Sequence, residues 1–274
     1  MLTSTKPPEV VVPISGGKDS QACLQRALEL YPADVVRGLF CDTQFEHPET
    51  YAHVERMSRV YGVRIDTITA GSVPEVVIKH NHFPGSGVRP CTDTLKIQAS
   101  LRYYKALLQE IRQGFEIWLG VRSAESAARR ERYRDKFDAT LYRPHEVLPS
   151  KYPQWLGRKG VRVRLPILSL SAVEVLDYLA GQENPLYSYG FDRVGCFPCL
   201  AAGDAYKEKA FNFDDFGRSQ KAIVDDLQRR IGKSVWQSKG GQLRNPFPIP
   251  VVLVSEPSSV PYEDVGSGCS FCQE

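Results

Sequence analysis

Hydrophobic and polar positions along the first two thirds of the chain switch between two periods. Short apolar runs rich in β-branched residues stand at Val10–Ile14, Val35–Cys41, Arg64–Thr69, Glu116–Leu119 and Val161–Leu165, and each predicts a strand. Between them, helical periodicity runs over Asp19–Leu30, His47–Tyr61, Thr92–Gln113 and Ser123–Arg134, followed by Ser171–Gly181. Crossovers of that length are what parallel strands require. The pattern predicts an α/β architecture, a mostly parallel five-stranded sheet with helices on both faces. Gly114 sits where a C-cap glycine would stop the long helix before it. Beyond about residue 185 the sequence becomes aromatic and rich in Gly and Pro, with one clear helix near Gly217–Ile231. The reading is an α/β domain over residues 1–184 and a smaller appended module over residues 185–274.

Composition narrows the class. A chain of 274 residues with 42% hydrophobic residues can bury one large core, or one core and a small module. The net charge of +3 does not by itself argue for nucleic acid. Local charge is more informative: Arg122, Arg129, Arg130, Arg132, Arg134 and Lys136 crowd one stretch, and Lys151, Arg158, Lys159, Arg162 and Arg164 follow. Either cluster reads as a contact for nucleic acid or as a solvated helix face. No apolar run is long enough to span a bilayer, and Met1–Lys6 lacks the apolar core of a signal peptide. A cytoplasmic protein without a membrane partner is expected.

The chemistry begins where the first strand ends. Ser15-Gly16-Gly17-Lys18-Asp19-Ser20 joins an apolar strand to a helix. Adjacent glycines let the backbone approach a polyphosphate, and the free N–H groups of the first helical turn face the same anion. Lys18 adds a mobile positive charge. Asp19, read as an exposed loop carboxylate, is suited to Mg²⁺ that bridges phosphate oxygens, with Ser15 and Ser20 as further donors or metal contacts. The turn reads as a nucleotide site, although glycine and an N-cap would also serve an ordinary strand-to-helix turn.

Seven cysteines in a cytoplasmic chain argue for metal or redox chemistry over disulfides. Cys196-x-x-Cys199 and Cys269-x-x-Cys272 are two knuckles, each opened by a glycine, and four thiolates complete a tetrahedral shell. Zinc and an iron–sulfur cluster use the same ligands, and two separate thiol pairs are the simpler alternative. Cys23 and Cys41 read as small buried hydrophobes.

In an open parallel sheet, ligands sit beyond the carboxyl ends of the strands. After the second strand stands Asp42, placed for a second Mg²⁺ contact or a ribose hydroxyl, or else for an N-cap with Thr43. After the fourth come Gly120 and Arg122, which can meet a phosphate bidentately, then Glu125 and Arg129, spaced for an ion pair on one helix face. That pair is equally readable as purely structural.

These segments carry a resemblance. The Ser15–Ser20 loop is similar to the PP-loop of the adenine nucleotide α-hydrolases, a Rossmann-like superfamily of ATP pyrophosphatases. Asp42-Thr43 with Pro48-Glu49-Thr50, Arg89-Pro90-Cys91-Thr92 with Leu95-Lys96, Gly120-x-Arg122-x-x-Glu125-Ser126-x-x-Arg129, and Gly195-Cys196-x-x-Cys199 resemble the successive signatures of its phosphoadenylyl-sulfate (PAPS) reductase branch. The likeness covers residues 9 to about 203. It implies that Ser15, Gly16, Gly17, Lys18, Asp19 and Ser20 bind nucleotide phosphates, that Arg122 and Arg129 bind phosphate or sulfate-like groups, and that Lys96 sits near the reacting centre.

Departures from the branch set the functional expectation. Reductases hold no β,γ-pyrophosphate, and their loops resemble a degraded form of this motif. Here it is intact, which implies ATP, Mg²⁺ and cleavage to AMP and pyrophosphate. Adenylyl-sulfate reductases hold their cluster partly through adjacent cysteines, where this chain has Pro90-Cys91. Cys269 or Cys272 would replace the missing ligand, or Cys91 would be free for chemistry. The combination resembles the ATP pyrophosphatases of DNA phosphorothioation and the iron–sulfur tRNA thiolases. It implies adenylylation of an acceptor, with nucleic acid as the favoured class, so that sulfur can enter. A 4Fe-4S cluster, or zinc, a sulfur donor such as a cysteine desulfurase, and a homodimer follow as expectations. The alternatives are a PAPS or adenylyl-sulfate reductase drawing electrons from thioredoxin, and a non-catalytic nucleotide-binding subunit with structural zinc.

Overall fold

Three consecutive valines place the first strand at the centre of the sheet. In a computed structural model, which describes residues 6–85 and 87–236, β1 (Val10–Ile14), β2 (Val36–Asp42), β3 (Arg64–Thr69), β4 (Glu116–Trp118) and β5 (Arg162–Arg164) form one sheet. Its order is β3-β2-β1-β4-β5 and every pairing is parallel. Val10, Val11 and Val12 are fully buried, as expected for a strand covered on both faces.

The helices are α1 (Lys18–Leu30), α2 (Pro48–Tyr61), α3 (Val73–His80), α4 (Ala99–Ile111), α5 (Ala127–Arg132), α6 (Pro144–Val147), α7 (Gln154–Arg158), α8 (Ala172–Leu179), α9 (Asp204–Phe211) and α10 (Asp215–Ile231). Alternation along β1 sends side chains to opposite layers. Val10, Val12 and Ile14 pack with Leu24 and Ala27 of α1 and Val54 and Met57 of α2. Val11 faces the other layer, with Tyr104 and Leu107 of α4 and Leu156 of α7. A third cluster joins Phe45, Val76 and Leu95 to Leu200, Phe211 and Val224, so the chain beyond residue 185 packs against the loops at the carboxyl end of the sheet.

Several elements differ from the sequence reading. The long helix over Thr92–Gln113 is two pieces, a π-helical Thr92–Gln98 followed by α4. It ends at Arg112, whose φ of 54° supplies the left-handed cap expected of Gly114. Gly114 answers to a different demand: a Cβ there would stand 2.4 Å from the Gly160 carbonyl oxygen. The Ser123–Arg134 segment divides into a 3₁₀ turn, Ser123–Glu125, and α5, capped by Ser126. Helices α3, α6, α7 and α9 were not anticipated, although Ser72 and Glu75 form a capping box at α3. Among the described residues, no helix is long and apolar enough to cross a membrane.

Candidate active site

The sheet order reverses between β1 and β4, which leaves a crevice beyond their carboxyl ends. The Ser15–Ser20 loop fills one wall of it. Gly16 has a φ of 73°, and a Cβ there would lie 2.5 Å from Thr50 Cγ2, so both conformation and space require glycine. Ser20 Oγ accepts from Ser15 N–H at 3.1 Å and donates to the Gly17 carbonyl at 2.8 Å, which closes the turn. Gly17 offers no side-chain cap, so the first turn of α1 is open to an anion. The later chain props this loop: Asn184 Nδ2 donates to the Gly16 carbonyl at 3.2 Å, and Lys18 N–H donates to Tyr187 Oη at 3.0 Å.

Charge converges on Asp19. Arg122 Nε and Nη2 donate to its two carboxylate oxygens at 2.7 and 3.3 Å, and Lys18 Nζ lies 3.1 Å from Oδ1. Lys18 and Arg122 are each only 5% exposed, so Asp19 balances two buried cations rather than standing free in a loop. Gly120 lets β4's exit pass the start of α1; a Cβ would meet the Asp19 carbonyl oxygen at 2.6 Å. A cavity of about 560 Å³ opens between these groups, lined by Ser15, Gly17, Lys18, Asp19, Ser20, Gly120 and Arg122. Arg129, paired with Glu125, also lines it.

Sulfur also lines this cavity. Cys196, Cys199 and Lys96 line the same space as the phosphate loop. Burial pushes the Cys196 thiol up to about 11, with nearby Lys96 pulling the other way. Burial also raises the Cys91 thiol, again opposed by Lys96. The ammonium of Lys96 is in turn held above its ordinary range, chiefly by Cys196 and against the effect of burial, with Glu46, Cys199 and Cys91 adding to it. Cys91 does not line the cavity; it packs beside Leu95 and Leu200.

Glu46 joins this centre without having been singled out from the sequence. It is 3% exposed, and burial raises its carboxyl. Its oxygens accept from Thr43 Oγ1 at 2.7 Å and from the Phe45 and Thr43 N–H groups at 3.1 and 3.2 Å. Cys196 Sγ lies 3.8 Å from Glu46 Oε1 and 3.3 Å from Thr43 Oγ1. The available sequence signal was Thr43 three residues before Glu46, a reciprocal-bonding spacing. Asp42 lies apart from the cavity lining, its Oδ1 accepting from Gln44 N–H at 2.8 Å and Tyr51 Oη at 2.7 Å.

Among the described residues, no group of three or more His, Cys, Asp or Glu side chains is arranged to hold a metal ion. Cys91, Cys196 and Cys199 are free thiols, and Cys269 and Cys272 lie outside the described residues. The described thiols therefore do not by themselves form a metal site. Asp19 differs, since a carboxylate facing a cavity between the buried cations Lys18 and Arg122 suits a hard cation.

Residues 9–202 match the phosphoadenosine phosphosulfate reductase domain. The chain belongs to that family. This agrees with the resemblance of its Ser15–Ser20 loop to the PP-loop adenine nucleotide α-hydrolase superfamily. The chain is 31% identical over 195 residues to an uncharacterized protein of Methanocaldococcus jannaschii, covering 70% of this chain and 36% of the other. It therefore spans about a third of that relative's length. An uncharacterized 37.8 kDa protein of Escherichia phage 186 is 26% identical, with 93% and 86% covered. Among solved structures, PAPS reductase from Candida auris in its phosphate complex has a TM-score of 0.44 at 17% identity, covering 70% of this chain and 82% of that one. The tRNA thiolase NcsA of Methanococcus maripaludis with its 4Fe-4S cluster has a TM-score of 0.45 at 15% identity, covering 83% and 74%.

Proposed function

We propose that this member of the family is an ATP pyrophosphatase that adenylylates an oxygen acceptor, nucleic acid being the favoured class, so that sulfur can replace the activated oxygen. One observation carries the reading: the intact phosphate loop and the Cys196–Cys199 thiols with Lys96 open into a single cavity. A site for sulfonucleotides alone has no triphosphate tail to hold, and so no use for a carboxylate set between Lys18 and Arg122.

In the free protein Asp19 occupies both cations. An arriving triphosphate competes for Lys18 and Arg122 and releases the Asp19 carboxylate. Asp19 would then hold Mg²⁺, whose charge offsets that on the departing pyrophosphate. The acceptor oxygen attacks the α-phosphorus, the bond to the α,β-bridging oxygen breaks, and its electron pair leaves on pyrophosphate. The N-terminus of α1 and Lys18 stabilise that charge, while Arg122 and Lys96 balance the α-phosphate. A sulfur nucleophile then attacks the activated centre, and the original oxygen leaves with AMP. Cys196 or Cys199 would carry that sulfur as the outer atom of a persulfide loaded by a cysteine desulfurase. After its attack the other thiol cleaves the resulting disulfide, leaving sulfur on the product and a Cys196–Cys199 disulfide that an external thiol reductant reopens, with Cys91 as a further described thiol nearby.

Protein purified without oxygen and incubated with Mg-ATP is expected to release pyrophosphate, with AMP where water takes the acceptor's place and an adenylylated acceptor where single-stranded nucleic acid is added. Sulfite from PAPS or adenylyl sulfate, dependent on a thiol reductant, would replace this reading with the reductase. Bound zinc with neither turnover would replace it with the nucleotide-binding subunit, whereas iron with acid-labile sulfide would identify the centre that the second cysteine pair completes.

A further inference from the structure

A second depression is lined in part by the same chain segment as the active-site cavity. Its volume is about 410 Å³, and its lining includes Ser123, Arg130, Arg134, Lys136, Phe137 and Asp138. The segment from Arg122 to Arg130 contributes side chains to both spaces. Arg122, Glu125 and Arg129 face the nucleotide cavity, and their chain neighbours Ser123 and Arg130 face the groove. We propose that this groove seats a single-stranded nucleic acid and delivers it across the Arg122–Arg130 segment to the nucleotide cavity. The inference rests on the function proposed above and names the acceptor of that site.

Charge is the first argument. Arg130 is exposed and forms no ion pair with a described residue. Arg134 pairs only with Glu131, and both side chains are more than 70% exposed, so a phosphate can displace that contact at little cost. Lys136 is committed within the protein: its ammonium pairs with Asp135 at 2.9 Å and lies 5.2 Å over the Tyr142 ring. The one carboxylate in the lining, Asp138, is turned onto the protein, accepting from Ser169 Oγ at 2.7 Å and Ser169 N–H at 3.2 Å. Arg130 and Arg134 are thus left to an anionic strand.

The second argument is an exposed aromatic ring. Phe137 is 67% exposed, although its own N–H is fixed by Tyr142 Oη at 2.7 Å. A ring held at a fixed backbone position among arginines is a stacking platform for a base. Only an unstacked base offers its face, so the geometry selects a single strand over a duplex.

The test is fluorescence anisotropy of a labelled short oligonucleotide, as single-stranded DNA, single-stranded RNA and duplex, over a range of salt. Both single strands should bind more tightly than the duplex, and the tighter of the two identifies the natural strand. Arg130→Ala/Arg134→Ala should weaken binding at least about tenfold and reduce the salt slope by about 1.4, at about 0.7 per lost phosphate contact. Phe137→Ala should weaken binding about tenfold and leave the slope unchanged. Thermal unfolding of both variants, and their ATP turnover without nucleic acid, should match the parent. Duplex bound as tightly as single strand, or variants that bind like the parent, would overturn the groove. Pyrophosphate release is scored separately: its absence with intact strand binding sinks the ATP reading, and its presence with unaltered variants sinks only the groove.

Discussion

Gly16 and Thr50 offer a quantitative test of how the loop is built. Gly16→Ala incurs two costs. A left-handed φ of 73° costs a residue with a Cβ about 1–2 kcal/mol. The new Cβ would also stand 2.5 Å from Thr50 Cγ2, and Thr50 is fully buried in the first turn of α2. Overpacking of that kind adds about 1–3 kcal/mol. Thr50→Ser deletes Cγ2, and the nearest remaining atoms, Thr50 Cβ and its carbonyl oxygen, lie at 3.7 Å, an ordinary contact. In the Thr50→Ser background Gly16→Ala should therefore keep only its backbone cost. Urea denaturation of the parent, both single variants and the double variant measures the cycle, provided the m-values agree. The expected coupling is about 1–3 kcal/mol in favour of the double variant. Additivity within about 0.5 kcal/mol would refute the packing argument.

Three further outcomes follow from the geometry. Asp19→Ala should abolish Mg-ATP turnover and, by uncovering Lys18 and Arg122, bind free pyrophosphate without Mg²⁺ at least as tightly as the parent, as read by calorimetry; weaker binding would contradict the ion-pair arrangement. His53 is 1% exposed, with Nε2 facing Gln21 Oε1 and Nδ1 facing Arg56, and burial holds it down to about 4. The unfolded chain takes up this proton near 6.5 and the folded chain only near 4, so stability should be level above pH 6.5 and fall toward pH 4. The contribution is at most about 3 kcal/mol, and His53→Gln should flatten that window in denaturation midpoints. Because Lys96 draws the Cys91 and Cys196 thiols downward, Lys96→Met should move their anaerobic alkylation profile to higher pH; an unchanged profile would remove Lys96 from the thiol centre.

The sheet was legible because its strands are buried on both faces, and Val10-Val11-Val12 cannot be read as anything but interior. Glycine positions were harder. Gly114 has the sequence context of a helix cap, yet the Gly160 carbonyl beside it is a contact from 46 residues later that no local pattern announces. The Ser15–Ser20 loop could be placed as a strand-to-helix turn from six adjacent residues because its glycine geometry is local. Asp19 was misjudged as an exposed carboxylate, since Arg122 reaches it only through the β1–β4 adjacency. Glu46 was overlooked for a similar reason: its importance comes from Cys196, which meets it through an antiparallel bridge across 150 residues. Burial of polar groups is a property of the assembled fold, so motif spacing alone does not disclose it.

The central claim is that the Ser15–Ser20 loop holds the β- and γ-phosphates of ATP while the bond beside the α-phosphate breaks. ATP labelled at the α-phosphorus, incubated anaerobically with Mg²⁺ and the purified protein, tests it most directly. The account predicts labelled AMP, or an adenylylated acceptor, with pyrophosphate in equal amount. Labelled ADP with inorganic phosphate, or intact ATP alongside sulfite released from PAPS, would contradict it.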